Sequence, residues 1–265
     1  MTALNTASHD QKTALDLCAQ ALIEARLNHQ PILETPFPYA PQTASEAYAI
    51  QKSVATAMSK TLGPVRGWKV GAPTPTAEPF SAPIHAATLF QGETTLPKEL
   101  CHFYGVEAEI VYRFGKDLPA PKDDVTREEV FSAIISAHPA IEICDTRFRK
   151  IGTQTALLHL ADQGNHGALI YGDALTDWAS LTPVEEPVRL TANAQLLAEH
   201  KGGNSAGDPL RMLVWLAKHA AAQGFPIKAG DIVTTGSTTG TIFVEAGTTA
   251  KAKFASLGSI TVHLP

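Results

Sequence analysis

Apolar positions recur at helical spacing early in the chain and at strand spacing late in it. Leu15, Cys18, Leu22 and Ala25 fall three or four residues apart and predict an amphipathic helix. Thr43-x-x-Glu46 is a capping box, and behind it Ala47, Ile50, Val54 and Ala57 form the apolar stripe of a second helix. Between the two, Pro31, Pro36, Pro38 and Pro41 predict an extended connection. A strand is expected over Val65–Gly71, then a long loop over 72–88, where Pro73, Pro75, Pro79 and Pro83 keep the chain irregular. Residues 103–114 read as a long strand. Thr126-x-x-Glu129 caps a helix expected to run through Ala137, and 139–145 and 167–171 read as short strands. Asp208-Pro209 starts a helix whose stripe is Leu210, Leu213, Val214, Ala217 and Ala221 and which Gly224 ends. Four short strands follow, over 232–235, 241–245, 249–255 and 259–264, separated by glycine turns. Such strands predict a rolled or sandwiched sheet, and the fold class is α+β.

Composition narrows the function. The 265 residues are 44% hydrophobic and 18% charged, enough for a substantial core and unlike a disordered chain. Lys and Arg number 21 against 26 Asp and Glu, a formal net charge of −5, and no basic run offers a nucleic-acid backbone its counter-charge. No stretch approaches the ~20 apolar residues that span a bilayer, and residues 1–12 lack the basic start and apolar core of a signal peptide. A soluble cytoplasmic protein with neither nucleic-acid nor membrane partners is expected. Cys18, Cys101 and Cys144 are widely spaced, fit a reducing compartment and read as small apolar residues. None of the ten histidines falls in a zinc motif.

The chemistry concentrates in a few segments. Along 103–114, strand alternation puts Tyr104, Val106, Ala108, Ile110, Tyr112 and Phe114 on one face and Glu107, Glu109 and Val111 on the other. A Glu-x-Glu pair ordinarily faces solvent. Glu142, however, sits between Ile141 and Ile143 in a second apolar strand, an unusual place for an exposed carboxylate. Three converging carboxylates need a cation to stay ionised together. An oxygen-only donor set favours Mg²⁺ or Mn²⁺, and such an ion polarises a carbonyl and stabilises an enolate. Lys69, between Trp68 and Val70 with glycines at 67 and 71, reads either as a partly buried proton-transfer group of lowered pKa or as a lysine snorkelling from an edge strand. The glycine-flanked turn with Gly236, Ser237 and Thr238 reads as a carboxylate-binding loop or a plain hairpin turn. Asp145 and Arg147 suggest a structural ion pair before a substrate clamp, Asp162 a turn cap, and Asn165 and His166 loop residues or substrate contacts.

The chain resembles the fumarylacetoacetate hydrolase superfamily, in the branch of 2-keto-4-pentenoate hydratases and 4-oxalocrotonate decarboxylases. The resemblance rests on the order and spacing of Ala47-Tyr48-Ala49-Ile50-Gln51, the Lys69 segment, Glu107-Ala108-Glu109-Ile110 and Gly115-Lys116-Asp117-Leu118-Pro119. It continues through Pro139-Ala140-Ile141-Glu142, Leu213-Val214-Trp215-Leu216-Ala217, and Ala229-Gly230-Asp231 leading to Thr235-Gly236-Ser237. It implies a mixed β-roll core over 65–265 with a helical lobe over 1–64, and a homo-oligomer. It further implies a divalent metal on Glu107, Glu109 and Glu142, an active-site Lys69, and a small 2-oxo acid as substrate. Hydration of a 2-oxo-4-enoic acid is the activity expected first; decarboxylation of a 2-oxo diacid, acylpyruvate hydrolysis, or a non-catalytic subunit of the same fold are its rivals. Two loops depart from the family pattern, at 161–166 and 83–86, and both are expected near the substrate.

Overall fold

Two helices open the chain where their stripes predict them, α1 (Thr2–Asn28) and α2 (Ala44–Leu62). The structure, a computed structural model, describes residues 2–34, 37–118 and 125–265, with side chains from Thr13 onward. Pro36 and Pro119 lie outside the described residues. Thr43 Oγ1 accepts the Glu46 amide at the start of α2, and the buried face is Ala47, Ile50, Gln51, Val54, Ala55 and Met58, with Ala57 turned to the half-buried flank. Next come β1 (Val65–Gly71), β2 (Phe80–His85), β3 (Leu89–Gln91), β4 (Thr94–Thr95) and β5 (Tyr104–Phe114). The middle of the chain forms α3 (Arg127–Ala133), β6 (Ile134–Cys144), α4 (Ala156–Ala161), β7 (His166–Tyr171), β8 (Pro187–Ala192) and β9 (Gln195–Lys201). The last elements are α5 (Leu210–Ala222), β10 (Ile232–Ser237), β11 (Ile242–Val244), β12 (Thr249–Phe254) and β13 (Gly258–His263).

The strands build two mixed sheets, as the α+β reading requires. The larger runs β2-β1-β10-β5-β6-β7-β3 with β11 also on β5; the smaller runs β4-β13-β12-β8-β9. One apolar core lies between them. It takes Val106, Ala108, Ile110, Tyr112 and Phe114 from β5, Ile141 and Ile143 from β6, and Ala252, Phe254, Ile260 and Val262 from the smaller sheet. The opposite face of the large sheet carries a small apolar cluster, Ile84, Val111, Ala140, Leu169 and Ile232, and beside it the polar residues of the cleft. A separate helical cluster joins Cys18 and Leu22 of α1 and Ile50, Val54 and Met58 of α2 to Phe148, Leu158, Leu160 and Ala161.

Three segments differ from expectation. The 72–88 stretch contains β2, because Pro83 lies on the edge strand, where a missing amide donor breaks no ladder. The helix expected through Ala137 stops at Ala133, and 134–137 joins β6 by pairing with β5. The β8–β9 hairpin and the short β3 and β4 went unforeseen. Among the described residues, no helix is long and apolar enough to cross a membrane.

Candidate metal and active site

Register brings the predicted acids together. Glu107 stands directly opposite Glu142 across the β5–β6 pair, and Glu109 lies opposite Ser237 of β10. Lys69 pairs with Thr234, which in turn pairs with Val111, so lysine and carboxylates project from one face of the sheet. Lys69, Glu107 and Glu109 line a cleft of about 590 Å³ together with Phe80, Ile151, His159, Asn165 and Phe243, and Glu142 is buried against Lys69.

Glu142 is fully buried, and its two oxygens have different company. Oε1 accepts from Lys69 Nζ at 2.8 Å and lies 2.9 Å from His166 Nδ1, while Oε2 has no hydrogen-bond partner. Lys69 Nζ also donates to the Gly164 carbonyl at 2.9 Å. Burial pushes His166 down to about 4, so the ring is neutral at pH 7. A neutral ring facing a carboxylate through Nδ1 must carry its proton there, and Nε2 lies 3.0 Å from Thr88 Oγ1, the hydroxyl that also donates to the His85 carbonyl. Glu109 Oε2 accepts from Thr234 Oγ1 and from the Gly236 amide at 3.1 Å, and Glu107 Oε1 accepts from Thr241 Oγ1.

The charges do not balance. Burial, then the neighbouring Glu142 and Glu107, hold Glu109 well above the usual carboxylate range. Burial also works against ionised Glu142, but Lys69 and His166 outweigh it and leave that carboxyl below its ordinary value. For Lys69 the expected lowering does not occur. Burial opposes its charge, yet Glu142 foremost and then Cys144, Glu107 and Glu109 raise its pKa above that of a free lysine. One ammonium thus faces three carboxyl groups. The carboxylate surplus and the orphaned, buried Glu142 Oε2 fit a divalent cation bound through oxygen. Ligand atoms of Glu107, Glu142 and Cys144 lie within 4.8 Å of one another, a group that includes the thiol and omits Glu109.

The remaining candidates divide. Gly236 and Ser237 line the cleft, although the Gly236 amide already serves Glu109. Thr238 turns away, its amide and hydroxyl both donating to the Ala108 carbonyl. Arg147 is buried and holds Asp162 at 2.6 Å and Asp145 at 3.5 Å, the structural role. Asn165 lines the cleft with a buried, unpartnered Oδ1. His166, left open as a loop residue or substrate contact, lies behind Glu142. Thr234 opens the glycine-flanked run read from the sequence as carboxylate-binding, and its hydroxyl donates to Glu109; Thr88, Thr241 and Cys144 have no such reading as site residues. Strand alternation does carry a signal for the last, since Cys144 is two residues beyond Glu142 and must share its face.

Comparisons with known proteins bear on the family and the fold. Residues 53–264 match the family described as Fumarylacetoacetate (FAA) hydrolase C-terminal. The chain is 35% identical over 133 residues to a 2-hydroxyhexa-2,4-dienoate hydratase of Comamonas testosteroni, covering 49% of this chain and 48% of that relative, about half of its length. It is 26% identical over 250 residues to a 2-keto-4-pentenoate hydratase of Paraburkholderia xenovorans (strain LB400), covering 91% of each. Among solved structures, the 4-oxalocrotonate decarboxylase from Pseudomonas putida G7 complexed with magnesium and adipate superposes with a TM-score of 0.81 at 20% identity, over 95% of this chain and 97% of that one. At that identity the likeness is one of fold.

Proposed function

The chain belongs to the fumarylacetoacetate hydrolase family, and from that premise we propose that it is a metal-dependent hydratase adding water to a small 2-oxo-4-enoic acid. The observation that carries this reading is the convergence of Glu107, Glu109 and Lys69 on one cleft, with Glu142 buried against Lys69 and its Oε2 left free. Glu107, Glu109 and Glu142 would hold Mg²⁺ or Mn²⁺. When bound, the ion supplies Lewis-acid polarisation of the 2-oxo group. Lys69 Nζ, charged and fixed between Glu142 and Gly164, is the proton donor as enol and keto forms of the substrate interconvert. Asn165 Oδ1 has no protein partner and accepts from the incoming water. Phe80, Ile151 and Phe243 pack the hydrocarbon tail and thin the solvent around it.

Two named relatives are hydratases, and the cleft favours that chemistry over decarboxylation of a diacid. A second carboxylate would call for a second cation. Among the described lining residues Lys69 is the only one, and it is engaged with Glu142; His159 is kept neutral by burial first and by Lys69 next. The test is a panel of a 2-oxo-4-enoic acid, a 2-oxo diacid and an acylpyruvate, each with Mg²⁺ and with chelator. Metal-dependent loss of dienol absorbance without CO₂ is expected. Faster CO₂ release from the diacid, or two acids from the acylpyruvate, would replace the reading with decarboxylation or hydrolysis, and an inert protein would leave only the fold.

A further inference from the structure

The thiol in the carboxylate cluster belongs to no part of the chemistry above. Cys144 lies on β6 two residues after Glu142, and its register partner on β5 is Gly105, whose missing side chain makes room for the Thr241 and Phe243 side chains. The residue lines the cleft while remaining only 7% exposed. Its ligand atom and those of Glu107 and Glu142 all lie within 4.8 Å of one another. Three atoms so spaced lie within about 2.8 Å (4.8/√3) of one common point, close to metal–sulfur and metal–oxygen bond lengths of about 2.3 and 2.0–2.2 Å. Glu142 Oε2, buried and without a partner, supplies a free lone pair beside it.

We propose that Cys144 Sγ is an inner-sphere ligand for a thiophilic divalent ion at this site, completing a mixed oxygen–sulfur set with Glu107 and Glu142. The inference rests on the metal reading above and extends it. Mg²⁺ binds through the oxygens and leaves the thiol aside, whereas Co²⁺, Zn²⁺ or Cd²⁺ recruits it, the thiol proton passing to solvent. An all-carboxylate site offers a thiophilic ion no sulfur ligand.

The probe is Co²⁺ titrated into the full chain, followed by absorbance for the near-ultraviolet thiolate-to-cobalt band and by calorimetry for binding itself. A saturable band is expected in the wild type, absent in Cys144→Ser and retained in a Cys18→Ser/Cys101→Ser double variant. Cys144→Ser should also weaken Cd²⁺ about tenfold or more while leaving Mg²⁺ affinity within about twofold. Stoichiometric Co²⁺ binding without the band would overturn the sulfur ligand and leave the oxygen site standing. Absence of both Co²⁺ and Mg²⁺ binding would overturn the two readings together. A band that survives in Cys144→Ser would place the thiolate elsewhere and refute the assignment.

Discussion

Asp162→Asn tests whether the buried arginine is scaffold or substrate clamp. The Asp162 carboxylate accepts from Thr146 Oγ1 at 2.9 Å, from the Arg147 amide at 3.0 Å and from Arg147 Nε at 2.6 Å. The Arg147 side chain is 5% exposed, and its other counter-charge, Asp145, lies 3.5 Å away. At an effective dielectric of about 20, unit charges at those separations attract by about 6 and about 5 kcal/mol, so the substitution removes slightly more than half the attraction. Breaking a buried pair by deleting one partner costs about 3–5 kcal/mol. Asp145 remains, and the asparagine oxygen still accepts, which favours the low end of that range. A loss of about 3 kcal/mol corresponds to a fall in Tm of roughly 6–12 °C for a chain of this size. Calorimetry or circular dichroism melts of metal-free protein read it directly. A variant that melts within about 2 °C of wild type and loses only substrate affinity would refute the scaffold role and move Arg147 into the binding site.

Two further outcomes follow from the same geometry. His166→Leu removes the proton donor behind Glu142 Oε1 and should weaken Mg²⁺ by about 10–100-fold in a calorimetric titration. His166→Asn, whose amide can reproduce the Nδ1 donation, should recover most of that loss; equal affinity in all three proteins would break the link. His219 stacks on Trp215 at 4.5 Å and burial lowers its pKa to about 4, below the ~6.5 of an unfolded histidine. The stability it confers is therefore complete above about pH 6.5 and is lost as pH falls toward about 4. His219→Phe keeps the stack without the titration, so its Tm should drop less than that of wild type between about pH 7 and about pH 5, and an equal drop would contradict this origin.

The fold was legible wherever local period and long-range pairing ask for the same conformation. α2 and α5 have stripes that meet their cores, and β5 alternates between a core face and a carboxylate face. Legibility fails where they conflict. Val130, Ala133 and Ala137 keep helical spacing, but Ile134 pairs with Phe114 and Ser136 with Arg113, so the sheet takes those residues from the helix. The β8–β9 hairpin turns at Asn193 and Ala194, with φ of 48° and 66°. Without the glycine that such turns usually carry, its signal is faint.

The site shows the same division, and the missing part explains its rigidity. Alternation makes Glu107 and Glu109 neighbours, but only register places Glu142 against them. Nothing in the local pattern announces that Gln163, Gly164 and Asn165 follow one another at φ of 53°, 57° and 59°. For the two non-glycine residues such backbone costs about 1–2 kcal/mol each. The left-handed run aims the Gly164 carbonyl at Lys69 and starts β7 with His166 against Glu142. It persists because both ends are clamped. Asp162 is gripped by Arg147 and Thr146, and the His166 carbonyl accepts from Arg147 Nη1 and from Arg26 Nη2 of α1, each at 3.1 Å. The Asn165 amide and carbonyl are also engaged, with the Asp162 carbonyl at 3.0 Å and the Asp145 amide at 2.7 Å. Arginines that do not line the cleft therefore hold the lysine and histidine that set the orientation of Glu142. This is why the ion-pair network and the carboxylate cluster should be expected to fail together.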